Sequence, residues 1–237
     1  MIHVGPPTVE PKGPRCVVGV DLAQSADFTC FTFIEWQGEG DAAIYAVRHI
    51  DRFRGQPYTA VARRLGDLVG RLLIRRPRPD VTVVVDATGV GAAALDVMRE
   101  TDIAAPLVPV LIHGGDRVLF EDGVYRVPKR DLIATVQVAM EAKRLRINPD
   151  FPFASILTDE LSKFRWKTTP TGRDAFEAWR EDDHDDAVLS VALGLWWGCY
   201  QDRNPPPAGY SYSYLGDDSP SDDDLGPAAW FARHGRP

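Results

Sequence analysis

Cysteine is scarce in this chain. Its 237 residues include Cys16, Cys30 and Cys199, far apart and with no C-x-x-C pair, which excludes a disulfide framework and a cysteine zinc site. The three read as reduced core residues. Long apolar runs are missing too. No stretch approaches the roughly 20 residues that span a bilayer, and Met1 to Pro14 lacks the apolar segment of a signal peptide. The expectation is a soluble, cytoplasmic protein with no membrane partner. No internal repeat occurs, and no G-x-x-x-x-G-K-S/T phosphate loop.

Positive charge is also in short supply, with 27 Lys and Arg against 34 Asp and Glu and a formal net charge of −7. On its face this argues against a nucleic-acid partner, because non-specific affinity comes mainly from Lys and Arg neutralising phosphates. Much of the excess is local, however. Asp217, Asp218, Asp222, Asp223 and Asp224 sit near the C-terminus, and Glu181, Asp182, Asp183, Asp185 and Asp186 form a second cluster. Against them stand Arg63 and Arg64, Arg75 and Arg76, Lys129 and Arg130, Lys143, Arg144 and Arg146, and Lys163, Arg165 and Lys167. For any one of these groups the plainer reading, a solvated helix face or a helix end matched to its dipole, outweighs a nucleic-acid contact.

What remains is a chain with 44% hydrophobic residues, enough for one sizeable core. Residues 1–14 hold four prolines and two glycines and read as a flexible leader; 205–237 are rich in Pro, Gly, Ser, Tyr and Asp and read as a disordered acidic tail. Between them, 15–204 reads as one α/β domain. Cys16 to Val20 is a short apolar run, as in a strand buried on both faces. Thr29 to Trp36 and Ala43 to Asp51 are β-branched and aromatic, with Gly38, Gly40 and Asp41 between them, which predicts a hairpin. Tyr58 to Ile74 has helical spacing and stops at Pro77 and Pro79. Val81 to Asp86 is a second buried-type strand, followed after Gly89 and Gly91 by a helix to about Arg99. Leu107 to Ile112 is a further strand, and Val118 to Val127 turns at Asp122-Gly123. Pro128 opens a helix to about Arg144. A helix at Ser155 to Phe164, a hairpin-like segment around Thr171-Gly172 and a helix from Asp185 to about Tyr200 complete the core.

Three acidic positions stand where this order of elements brings them together. Asp21 ends the first strand, Asp86 ends the fourth, and Asp185 and Asp186 begin the last helix. The crevice beyond the carboxyl ends of parallel strands is the usual site of an open α/β sheet. Hard divalent cations prefer a few carboxylate oxygens with water and substrate phosphates. Each acid also has a plainer explanation. Asp21 fits a turn, Asp86 fits a helix cap, and Asp183 with Asp186 has capping-box spacing. Caps do not explain why two apolar strands also end in aspartate.

Val18-Gly19-Val20-Asp21-Leu22-Ala23-Gln24-Ser25-Ala26-Asp27-Phe28-Thr29 resembles the first motif of the nuclease domain of phage large terminases. Val83-Val84-Val85-Asp86-Ala87-Thr88-Gly89-Val90-Gly91 resembles the second, and His184-Asp185-Asp186-Ala187-Val188-Leu189-Ser190-Val191-Ala192-Leu193 the third. Val127-Pro128-Lys129 before a helix, and the Glu-Leu-x-x-Phe pattern within Leu157 to Phe164, are similar to that family as well. The likeness runs from about Arg15 to Tyr200. It implies an RNase H-like mixed five-stranded sheet flanked by helices, and a phosphodiester hydrolase that cuts double-stranded viral DNA during genome packaging with two Mg²⁺ or Mn²⁺ ions. It assigns catalysis and metal ligation to Asp21, Asp86, Asp185 and Asp186, and auxiliary places to Asp27 and His184. Lys129 and Arg130 would contact DNA. The implied partners are the terminase ATPase domain, the small terminase subunit and the portal. Since a complete large terminase carries an ATPase motor, either this is an excised or naturally separate nuclease domain or the motor is on another chain.

Other readings compete. Gly89-x-Gly91-x-x-Ala94 fits the dinucleotide fingerprint in form, but its strand ends in Asp86 and the next strand ends in His113 rather than an acid for ribose. Gly19-Val20-Asp21 and Asp86-Ala87-Thr88-Gly89 resemble the phosphate loops of actin-like kinases. A Holliday-junction resolvase or transposase would use a similar acidic site, and a scaffold would leave the acids as caps.

Overall fold

The computed structural model describes residues 15–23, 27–75, 80–89, 91–167 and 185–204. The leader, the acidic tail, the segment around Thr171-Gly172, and Glu181, Asp182, Asp183 and His184 lie outside them.

Strands β1 (Arg15–Asp21), β2 (Phe28–Gln37) and β3 (Ile44–Arg54) form an antiparallel meander. Helix α1 (Tyr58–Arg75) leads to β4 (Asp80–Asp86), which lies parallel to β1 on its other side; α2 (Gly91–Glu100) leads to β5 (Leu107–His113), parallel to β4. These five strands are the expected mixed sheet. Among the described residues the sheet has eight, in the order β6-β7-β5-β4-β1-β2-β3-β8. The additions are short: β6 (Leu119–Glu121), β7 (Val124–Pro128) and, after helix α3 (Lys129–Glu141), β8 (Leu145–Ile147). Asp122 and Gly123 join β6 to β7 with φ of 50° and 76°, the two positive values that a tight hairpin turn needs. Three-residue β8 carries too little periodicity to be legible in sequence; it exists because β3 offers an edge. Pro128 sits one residue before α3 rather than inside it.

Alternation along the strands divides the core between the two faces. Cys16, Val18 and Val20 face α1 and α2, whose Val61, Leu65, Val69, Ala94 and Met98 cover them. Val17, Cys30, Ile34 and Val84 face α3, α4 (Ala154–Lys167) and α5 (Asp186–Arg203). Helix α5 is buried on nearly every side from Asp186 to Gly198, so it reads as an apolar run without a polar stripe. Its Ser190 hydroxyl lies 2.6 Å from the Thr32 hydroxyl, both fully buried, which pins the helix across β1 and β2. Among the described residues no helix is long and apolar enough to cross a membrane.

Candidate active site

The site is built by three chain ends that meet at one edge of the core. In the parallel pairing of β1 with β4, Val20 lies beside Val85, and the next residue on each strand is an aspartate, Asp21 and Asp86. Helix α5 begins over the same strand ends and contributes Asp185 and Asp186. Asp27 stands exposed just before β2. Electrostatics reports the convergence. Asp21 has its pKa raised well above the usual carboxyl value, first by burial and then by the charges of Asp86, Asp186, Asp185 and Asp27. The sequence-derived acids are thus brought together in the described residues; His184 lies outside them.

Each acid is held differently. One oxygen of Asp86 accepts the Thr88 N–H at 2.8 Å, and the Thr88 hydroxyl in turn accepts the Ile112 N–H at 2.8 Å, so the turn out of β4 fixes this carboxylate. Asp185 stands at the N-cap of α5 but makes no side-chain cap bond. The cap comes from elsewhere: Glu160 of α4 accepts the N–H groups of both Ala187 and Val188 at 3.1 Å through one oxygen. Among the described residues its other oxygen is buried and meets no hydrogen-bond partner. Burial, and after it the Asp186 charge, pushes the Glu160 carboxyl up to about 8.

Asp186 is buried, and it does not await a counter-charge. Arg52 of β3 grips it with two hydrogen bonds, Nε to Oδ2 at 2.5 Å and Nη2 to Oδ1 at 3.0 Å. Arg52 and Glu160 were not legible as site residues. Arg52 shares its strand with Arg48 and Arg54, and spacing does not separate the three. Glu160 falls in the Glu-Leu-x-x-Phe pattern, which was the available signal.

The donor set is chemically consistent. Below the carboxylates the Cys30 thiol is buried and pushed up to about 12, so no thiolate joins them and the available donors are hard oxygens. That chemistry suits Mg²⁺ or Mn²⁺. As arranged, however, no three His, Cys, Asp or Glu side chains among the described residues close around a single ion position. Of the residues expected to meet DNA, Arg130 is exposed and bonded to the Asp116 carboxylate at 2.5 Å and its carbonyl at 2.7 Å, and Lys129 is half-buried at the start of α3.

No family model matches the sequence, and no curated protein does either. Solved structures do. The human cytomegalovirus terminase nuclease domain superposes with a TM-score of 0.51 at 12% identity, over 80% of this chain and 86% of that one. The fold is RNase H-like. A manganese-soaked, inhibitor-bound form of the same domain gives a TM-score of 0.50 at 12% identity, over 77% and 83% of the two chains. The magnesium-bound large terminase nuclease of thermophilic phage G20c gives 0.46 at 20% identity over 78% and 82%. Thermus thermophilus RuvC gives 0.41 at 13% identity over 80% and 97%.

Proposed function

We propose that this chain is a metal-dependent endonuclease that hydrolyses phosphodiester bonds in double-stranded DNA, acting in viral genome packaging as the nuclease part of a terminase. The observation that carries the reading is the meeting of Asp21, Asp86, Asp185 and Asp186 at the carboxyl ends of β1 and β4. Acids whose charges add to the cost of ionising the buried Asp21 have no structural purpose that a single cap would not serve, and the cap of α5 is already supplied by Glu160. Those four aspartates would hold two divalent ions. When bound, such ions activate water for attack and stabilise the leaving oxygen.

The chain's own residues set the stage. Thr88 orients Asp86, Glu160 anchors the first turn of α5, and Arg52 pairs with Asp186. Lys129 and Arg130 serve as phosphate contacts on the substrate side. The cytomegalovirus domain, studied soaked with manganese, supports the choice of cofactor by likeness of fold. By the motif resemblance, the packaging partners are the terminase ATPase domain, the small terminase subunit and the portal. The test is incubation of supercoiled plasmid with Mn²⁺, Mg²⁺ or EDTA. Nicked and linear DNA should form with either metal and not with EDTA, and equal cutting in all three would overturn the reading.

A further inference from the structure

The pairing register places Arg52 on the same row as the acids. Asp21 of β1 is opposite Cys30 of β2, and Cys30 is opposite Arg52 of β3. With strands about 4.8 Å apart, Arg52 starts about 10 Å from Asp21 along the sheet, on the α5 face, and Asp186 descends from α5 to meet it. The guanidinium is enclosed. Its side chain keeps 9% exposure, against 52% for Arg48 and 49% for Arg64, which make the other ion pairs on β3. One edge grips both oxygens of Asp186, and one face lies 3.7 Å from the centre of the Phe28 ring.

Removing a guanidinium from water is costly unless its surroundings replace that water. Here the surroundings are acidic. Asp186 bonds it directly and is the main charge acting on it, with Glu160 adding to this when ionised. We propose that Arg52 is the built-in counter-cation of this centre: it neutralises Asp186 in the metal-free protein, and a divalent ion has to take that carboxylate from it. The inference rests on the metal-dependent reading above. Two cations contest one carboxylate, and both of its oxygens are committed to Arg52, so Arg52 sets how much free metal the site needs. It thereby keeps the acidic centre folded when no ion is bound.

The test is calorimetric titration of Mn²⁺ into the full chain and its R52Q, R52K, D186N and R52Q/D186N variants, beside melting curves with and without Mn²⁺. R52Q should bind Mn²⁺ about tenfold more tightly, as expected for deleting one nearby positive charge. It should melt lower than the native chain without metal and gain more from Mn²⁺. R52K, which keeps the charge but loses the fork, should tighten binding by about two- to threefold. The gain should vanish when Asp186 is already Asn. Binding by R52Q that is unchanged or weaker would overturn the inference, since Arg52 would then be an aid to the ion. Should R52Q fold only with metal, R52K decides by the same criterion. Absence of Mn²⁺ binding in every protein, native included, would instead bring down the metal-dependent reading together with the inference.

Discussion

A Cβ added to Gly19 would lie 1.8 Å from the carbonyl oxygen of Ser190, so the backbone of α5 rests directly on the backbone of β1. This approach sets the height at which Asp186 stands over Asp21. The Ser190 carbonyl and the Gly194 amide nitrogen, 3.2 Å from the same Cβ, are both main chain and neither swings aside. Gly19→Ala should therefore lift α5, costing about 3 kcal/mol in urea unfolding, the upper end of ordinary overpacking, and should weaken Mn²⁺ binding. A melting temperature within a degree of the native protein would show that the approach is looser.

Asp21 and Asp186 should respond in opposite directions to the same isosteric change. Asp21 is destabilised first by burial and then by four neighbouring acids, so Asp21→Asn should raise the metal-free melting temperature at pH 8. Its folded pKa is raised, so its favourable contribution is complete below the usual value of 3.8 and is lost as pH rises through the folded pKa. The advantage of Asn should therefore shrink toward pH 4. Asp186→Asn instead leaves Arg52 buried without its anion, a loss of about 3 kcal/mol. Both variants, and Asp86→Asn, should abolish plasmid nicking in Mn²⁺. Equal stability of the Asp21 and Asp186 variants would argue against the Arg52 pair.

Glu160 gives a pH signature of its own. Its carboxyl is pushed up from 4.5 to about 8, chiefly by burial and next by Asp186. The stability it contributes is complete below about pH 4.5 and is lost as pH rises through about 8. Glu160→Gln keeps an acceptor for the Ala187 and Val188 N–H groups and removes the titration. Melting curves from pH 5 to 9 without metal should fall less steeply in this variant. Parallel curves would mean that another group carries the dependence.

Lys129 and Arg130 separate stability from DNA affinity. Arg130 makes its ion pair at the surface, where such pairs are worth about 1 kcal/mol or less, so replacing both residues with Ala should barely change urea unfolding. Filter binding at several salt concentrations should then show a log–log slope shallower by about 0.9 for each phosphate no longer neutralised. A native slope in the double variant would remove these residues from the DNA surface.

The sequence by itself determined most of the elements and the residues on which β1 and β4 end. The apolar run Cys16 to Val20, the Asp122-Gly123 turn, and the aspartates closing β1 and β4 are local facts, because strand hydrophobicity, turn conformation and strand termination depend on near neighbours along the chain. The tertiary structure alone decided which cation faces which acid. Arg52 and Asp186 are 134 residues apart, and their meeting depends on the β1–β2–β3 register and on how closely α5 settles on Gly19. Nothing near Arg52 in the chain distinguishes it from Arg48 or Arg54. The capping of α5 by Glu160, 27 residues from Ala187, was hidden for the same reason. Local pattern says where a carboxylate leaves a strand, and only packing between distant segments says what neutralises it.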